Sequence, residues 1–185
     1  MPRRPAEFGI PDDFALLGSF IAGPGALARF VRTAPFNTDD HPVVAYRAPR
    51  ITYAPESLPR DRLISLLREV EIWPDELVTP QSNPAWSARL AAYWTARNRF
   101  IKAGRDIEPT SEPRRMLAQV REPLLSVLRT SPDFRPAYDP LLRMATVLGE
   151  TDVAAARALL TELRQVQPAR SEAALALRDL AGTSQ

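Results

Sequence analysis

Nineteen prolines interrupt a chain of 185 residues. Each fixes φ near −65°, removes a backbone donor and clashes with the preceding turn of any helix it enters. The chain is therefore constrained to short elements, with prolines closing one and opening the next. Asp12 is placed to cap a helix carrying Phe14, Leu16, Leu17, Phe20 and Ile21, which Gly23 ends. Pro24 opens a second helix with Leu27, Phe30, Val31 and Ala34 at helical spacing, and Pro35 stops it. Val43 to Tyr46 is β-branched and aromatic between prolines and reads as a short strand, with Ile51 to Tyr53 as a candidate second one. Leu63, Leu66, Leu67 and Val70 then share a helix face that ends before Pro74.

The loop at residues 74–83 is the expected boundary between an α+β segment, 1–73, and a helical region, 84–182. Asn83-Pro84 opens a helix with Trp86, Leu90, Tyr93, Trp94 and Ile101. A next helix, capped by Ser111, carries Met116, Leu117, Val120, Leu124, Leu125 and Leu128, with Pro123 expected to kink or split it. Asp139-Pro140 opens another, with Leu141, Leu142, Ala145 and Leu148, and the turn 149–152 leads into Val153, Ala156, Leu160, Leu163 and Val166. A final helix from Ser171 carries Ala174, Leu175, Leu177 and Leu180. Residues 136–168 resemble a tetratricopeptide unit, with small Ala145 and Ala156 at a close helix crossing and Pro168 at its end. Generic helical hairpins give the same pattern. The expected fold class is mainly α, a small N-terminal α+β segment followed by tetratricopeptide-like hairpins.

Composition limits the function classes. With no cysteine, disulfides, thiolate metal sites and cysteine nucleophiles are excluded, and a reducing, cytoplasmic setting is compatible. A formal charge of +2, from 24 basic and 22 acidic residues, is too small a long-range field to gather nucleic acid or anionic lipid. The most apolar window, 14–31, is broken by Gly23-Pro24-Gly25 and Arg29 and cannot span a bilayer, so no membrane insertion is expected. Lys102 is the only lysine; arginine, with its planar fork, supplies nearly all positive charge. Arg3-Arg4 and Arg114-Arg115 are read as solvated or paired with Glu7 and Glu112 rather than as phosphate contacts.

The most distinctive run is Asn37-Thr38-Asp39-Asp40-His41-Pro42-Val43-Val44-Ala45-Tyr46-Arg47-Ala48-Pro49-Arg50. Through Asn37, Thr38, Asp39, Asp40, Pro42, Tyr46, Pro49 and Arg50 it resembles the signature closing the aminopropyltransferase-like domain of spermidine-synthase-like bacterial proteins fused to transporter-like membrane regions. That resemblance implies a closing structural segment of a polyamine-biosynthesis protein. In such enzymes the decarboxylated S-adenosylmethionine site and the acidic proton acceptor lie earlier, on a Gly-rich loop and strand ends. Gly23-Pro24-Gly25 follows a helix rather than a strand, so no strand–loop–helix cradle is read here and no catalytic residue carries over.

The residues themselves favour the same restraint. His41 with Asp39 and Asp40 has the donor types of a metal site, but three near neighbours cannot all converge on one ion. A turn in which Asn37, Thr38 and Asp39 satisfy loop donors is the stronger reading. Nucleophilic catalysis lacks a Gly-x-Ser-x-Gly elbow and has one histidine to serve it. Trp86, Tyr93 and Trp94 fall at core spacing rather than forming a stacking platform. The expectation is a non-catalytic accessory module with no cofactor or metal. Its partner would be a protein or an upstream aminopropyltransferase-like domain. The rival readings are an independent helical scaffold for a protein partner and, third, a subunit completing an aminopropyltransferase site in trans.

Overall fold

Frequent proline and the Leu/Ala-rich stripes between them leave room for helices of modest length, and a computed structural model describing residues 10, 12–77 and 84–182 bears that out: every regular element among these residues is helical. The chain divides into two compact units. One is Ser19–Ser87; the other joins the segment up to Gly18 to the chain from Ala88 onward.

The larger unit is the helical bundle. Helix α1 (Asp13–Gly18) starts where the sequence places its cap, with Asp12 Oδ1 accepting the Ala15 N–H at 2.8 Å. It stops at Gly18, short of Phe20 and Ile21, because α5 (Pro84–Asp106) meets it there. The Trp94 indole donates to the Leu17 carbonyl at 3.1 Å and the Arg97 guanidinium to the Gly18 carbonyl at 2.8 Å. Two carbonyls left open at the end of α1 are thus satisfied by side chains of α5. A Cβ on Gly18 would fall on the Tyr93 ring, so this approach requires glycine.

Four further helices, α6 (Pro113–Thr130), α7 (Arg135–Gly149), α8 (Val153–Val166) and α9 (Glu172–Gly182), form consecutive hairpins. Connections of three to five residues fold each back along its predecessor. Each helix packs on the next, and α6 also touches α8 as α7 touches α9, giving two staggered rows. The core between them is Leu124, Leu128, Tyr138, Leu141, Leu159 and Leu163, all at most 5% exposed. Each such leucine contributes roughly 1.5–3 kcal/mol by leaving water. Ala145 and Ala156 are fully buried, as expected of small residues at a close crossing. Tyr93 and Trp94 are core residues too.

Several local expectations are corrected. α6 begins at Pro113, with Glu112 rather than Ser111 at its N-cap position. It runs as one element through Pro123, because Val120, Leu124, Leu125, Val127 and Leu128 on either side are buried and hold it. α7 opens at Arg135, a turn before Pro140. The ring there costs one intrahelical bond, about 3 kcal/mol, which burial of Ala137, Tyr138 and Leu141 outweighs. In α9 the buried alanine is Ala173 rather than Ala174.

In the smaller unit, α2 (Pro24–Val31), α3 (Val43–Thr52) and α4 (Pro59–Glu69) precede a 3-10 turn at Pro74–Glu76. The expected strands at Val43–Tyr46 and Ile51–Tyr53 are not formed; α3 occupies most of that stretch, so this segment is helical rather than α+β. The boundary loop at 74–83 is described only as far as Leu77. Among the described residues of this unit, Ala26, Ile64, Leu67, Val70 and Ile72 are the buried apolar ones.

Candidate docking surface

The motif singled out in the sequence gathers into one structure. Thr38 and His41 exchange backbone bonds of 3.2 and 3.1 Å, and Thr38 Oγ1 also accepts the His41 N–H at 3.0 Å. The turn so closed brings Asn37 beside the start of α3, where its Oδ1 accepts the Val44 N–H at 3.0 Å. Val44 is the second residue of α3, so Asn37 caps that helix from seven positions away while Pro42 occupies the N-cap position. This is the turn read from the sequence, with a helix rather than a strand following it. At the far end, Arg62 of α4 donates to the Ile51 carbonyl at 3.4 Å.

The rest of the motif faces outward. α3 has no buried side chain. Tyr46 is 70% exposed and Val44 61%, while Phe36 and Tyr53 on the flanking segments are more exposed still, at 88% and 83%. A cleft of about 310 Å³ lies between the turn and this helix. Pro35, Pro42, Val43 and Tyr46 give it apolar walls, and Arg47 and Arg50 supply two guanidiniums; Asp40 and His41 line it as well. Asn37, Thr38, Asp40, Pro42, Tyr46 and Arg50 thus shape or line one feature, whereas Pro49 sits inside α3 away from the cleft lining and Asp39 makes no bond in the turn.

Among the described residues no three His, Cys, Asp or Glu side chains group in a way that could hold a metal ion, and no helix is long and apolar enough to cross a membrane. Arg114 and Arg115 do pair, though with Asp152 at 2.8 Å and Glu108 at 3.6 Å rather than with Glu112. Arg3, Arg4 and Glu7 lie outside the described residues.

Glu76 is a residue the sequence reading passed over. Its carboxylate accepts the Gly25 N–H at 3.2 Å, satisfying a donor at the start of α2 where the helix dipole favours negative charge. Gly23 is required beside it, since a Cβ there would strike that carboxylate. The only hint in the sequence is a glycine pair around a helix-opening proline; the partner lies 51 residues on, beyond any local rule.

No protein-family model, curated protein or solved structure matches the chain.

Proposed function

We propose that this chain is a non-catalytic interaction module, an accessory part whose α3 surface packs against a protein partner. One observation carries the reading: a helix with apolar and aromatic side chains, held by a built turn and a distant cap, buries none of them within its own chain. Sustaining an ordered surface of Tyr46, Val44 and Ile51 in water has no stabilising return unless another molecule covers it. The resemblance of residues 37–50 to the closing signature of spermidine-synthase-like proteins suggests the identity of that partner, an aminopropyltransferase-like domain in polyamine biosynthesis.

Co-expression with an aminopropyltransferase-like domain tests this. A stable complex is expected, with slowed amide exchange across residues 43–53, and the chain alone is expected to transfer no aminopropyl group from decarboxylated S-adenosylmethionine. Failure of the two to co-migrate at micromolar concentration would remove the reading.

A second reading, a scaffold binding a peptide along the hairpins, is favoured by one feature. α8 presents a shallow trough of about 640 Å³ lined by Val153, Ala154, Ala158 and Thr161 together with the longer Arg157, Glu162 and Gln165, an apolar strip with polar edges on which a peptide could lie. Protection confined to α8 on partner binding would favour this scaffold over the α3 surface.

A further inference from the structure

Arginine is not treated alike across the molecule. In the bundle, Arg89, Arg114, Arg121, Arg129 and Arg135 each meet a carboxylate within 4.0 Å, while Arg143, Arg157 and Arg164 meet none among the described residues. On α3, Arg47 and Arg50 have no ion-pair partner among the described residues, and between His41 and Pro55 the sequence has no carboxylate to offer them. Both line the cleft beside exposed Tyr46. Arginine with an aromatic neighbour is the composition that dominates binding energy at protein interfaces.

We propose that this cleft seats an acidic segment of a protein partner, with carboxylates on Arg47 and Arg50 and an apolar side chain against Tyr46, Val43 and Pro42. This rests on the interaction-module reading and adds the chemistry of the partner. Residues three apart on a helix stand about 5–6 Å from each other, so the two guanidiniums match two acidic residues three apart on a partner helix, or two apart on an extended strand. The planar fork of arginine favours carboxylates held in such a register. Asp40 on the cleft lining works against a uniform polyanion such as nucleic acid, which would bring phosphates against it, and so favours a ligand with acidic groups only where the arginines are.

The test is an amide-resolved NMR titration of the whole chain with a short synthetic peptide carrying two glutamates three positions apart around leucines, alongside its glutamine and lysine counterparts. The glutamate peptide should shift signals of Val43–Arg50, with an affinity that falls as salt rises. In Arg47→Glu/Arg50→Glu, both changes being on exposed positions, the glutamate peptide should bind at least ~10-fold more weakly and the lysine peptide should gain affinity. Equal binding of the glutamine peptide, shifts confined to the bundle, or no shift at all would overturn the proposal. Arginine-dependent binding to phosphatidylcholine vesicles containing phosphatidylglycerol, without peptide binding, would overturn it in favour of a lipid surface. If the double variant still forms the complex with the companion domain, the cleft assignment falls and the module reading stands; if neither peptide nor companion binds the native chain, both fall.

Discussion

Ser131 and Gln167 are both almost fully buried where the α6–α7 connection meets the end of α8, yet their polar atoms are in opposite situations. Gln167 Nε2 donates to the Pro132 carbonyl at 2.8 Å, whereas Ser131 Oγ has no hydrogen-bond partner. Removing a satisfied donor strands its acceptor, so Gln167→Ala should cost about 1–3 kcal/mol, while Ser131→Ala should be neutral or stabilise by up to ~1 kcal/mol. Urea midpoints of the two variants check both, and a loss in Ser131→Ala would mean the hydroxyl is paired. Tyr93 and Tyr138 give a pH dependence. Burial disfavours the phenolate and raises both above the ordinary tyrosine value; for Tyr138 the bond its oxygen accepts from the Ala173 N–H, 3.2 Å, partly offsets this. A raised folded-state value means the folded chain holds its protons longer than the unfolded one. The contribution is therefore complete below the unfolded value, near pH 10, and is lost as pH rises through it toward the folded values. Stability should be level up to about pH 9 and fall above about 10, with a shallower fall in Tyr93→Phe/Tyr138→Phe followed by denaturant midpoint against pH.

Helices bounded by strong local chemistry were legible from sequence alone. Asp12 caps α1 as its position implies and Pro24 opens α2, while at the turn read at 149–152 the Asp152 Oδ1 caps α8 by accepting the Ala155 N–H at 3.0 Å. The hairpin of α7 and α8 was legible for a similar reason, since small Ala145 and Ala156 mark where two backbones come close. α3 was not. Val43, Val44 and Tyr46 have strand propensity, and Pro49 biases its predecessor away from helix. What tips the balance is the Thr38–His41 turn, which presents the Asn37 side chain to the Val44 N–H, a cap outside the usual sequence window. The candidate site was legible as a motif and as a turn, but its cleft was not, because the helix that places Arg47 and Arg50 together was read as two short strands with both arginines in the stretch between them. Pro123 does not split α6 and Pro140 does not open α7 for one physical reason: the local cost of proline is fixed while the packing on either side is not visible locally. Pro123 still leaves the Gln119 carbonyl without its intrahelical donor. Pro123→Ala should thus stabilise the chain by about 1–3 kcal/mol and raise its melting temperature in calorimetry; a fall would show that the ring packs where alanine cannot.

Across the whole molecule, apolar burial is distributed unevenly, and order should follow it. α6, α7 and α8 together bury Leu124, Leu125, Leu128, Tyr138, Leu141, Leu148, Leu159, Leu160 and Leu163, while α4 buries only Ile64 and Leu67 and α3 buries nothing. Opening a helix costs what its burial and its bonds to the remainder supply, so elements of one chain span opening free energies from near zero to the global value. Ion pairs reinforce the same helices: Arg121 forks onto Glu162 between α6 and α8, and Arg135 reaches Glu172 between α7 and α9 at 3.1 Å. Being half-exposed, these add little individually, so leucine burial sets the order. Native-state hydrogen exchange should show the slowest amides in α7 and α8, intermediate ones in α4, and α3 exchanging through small local openings with little denaturant dependence. A partner covering α3 should move its amides toward the intermediate class. If α3 amides instead exchange as slowly as those of α7 in the isolated chain, the helix is held by contacts of its own and its exposed face needs no partner.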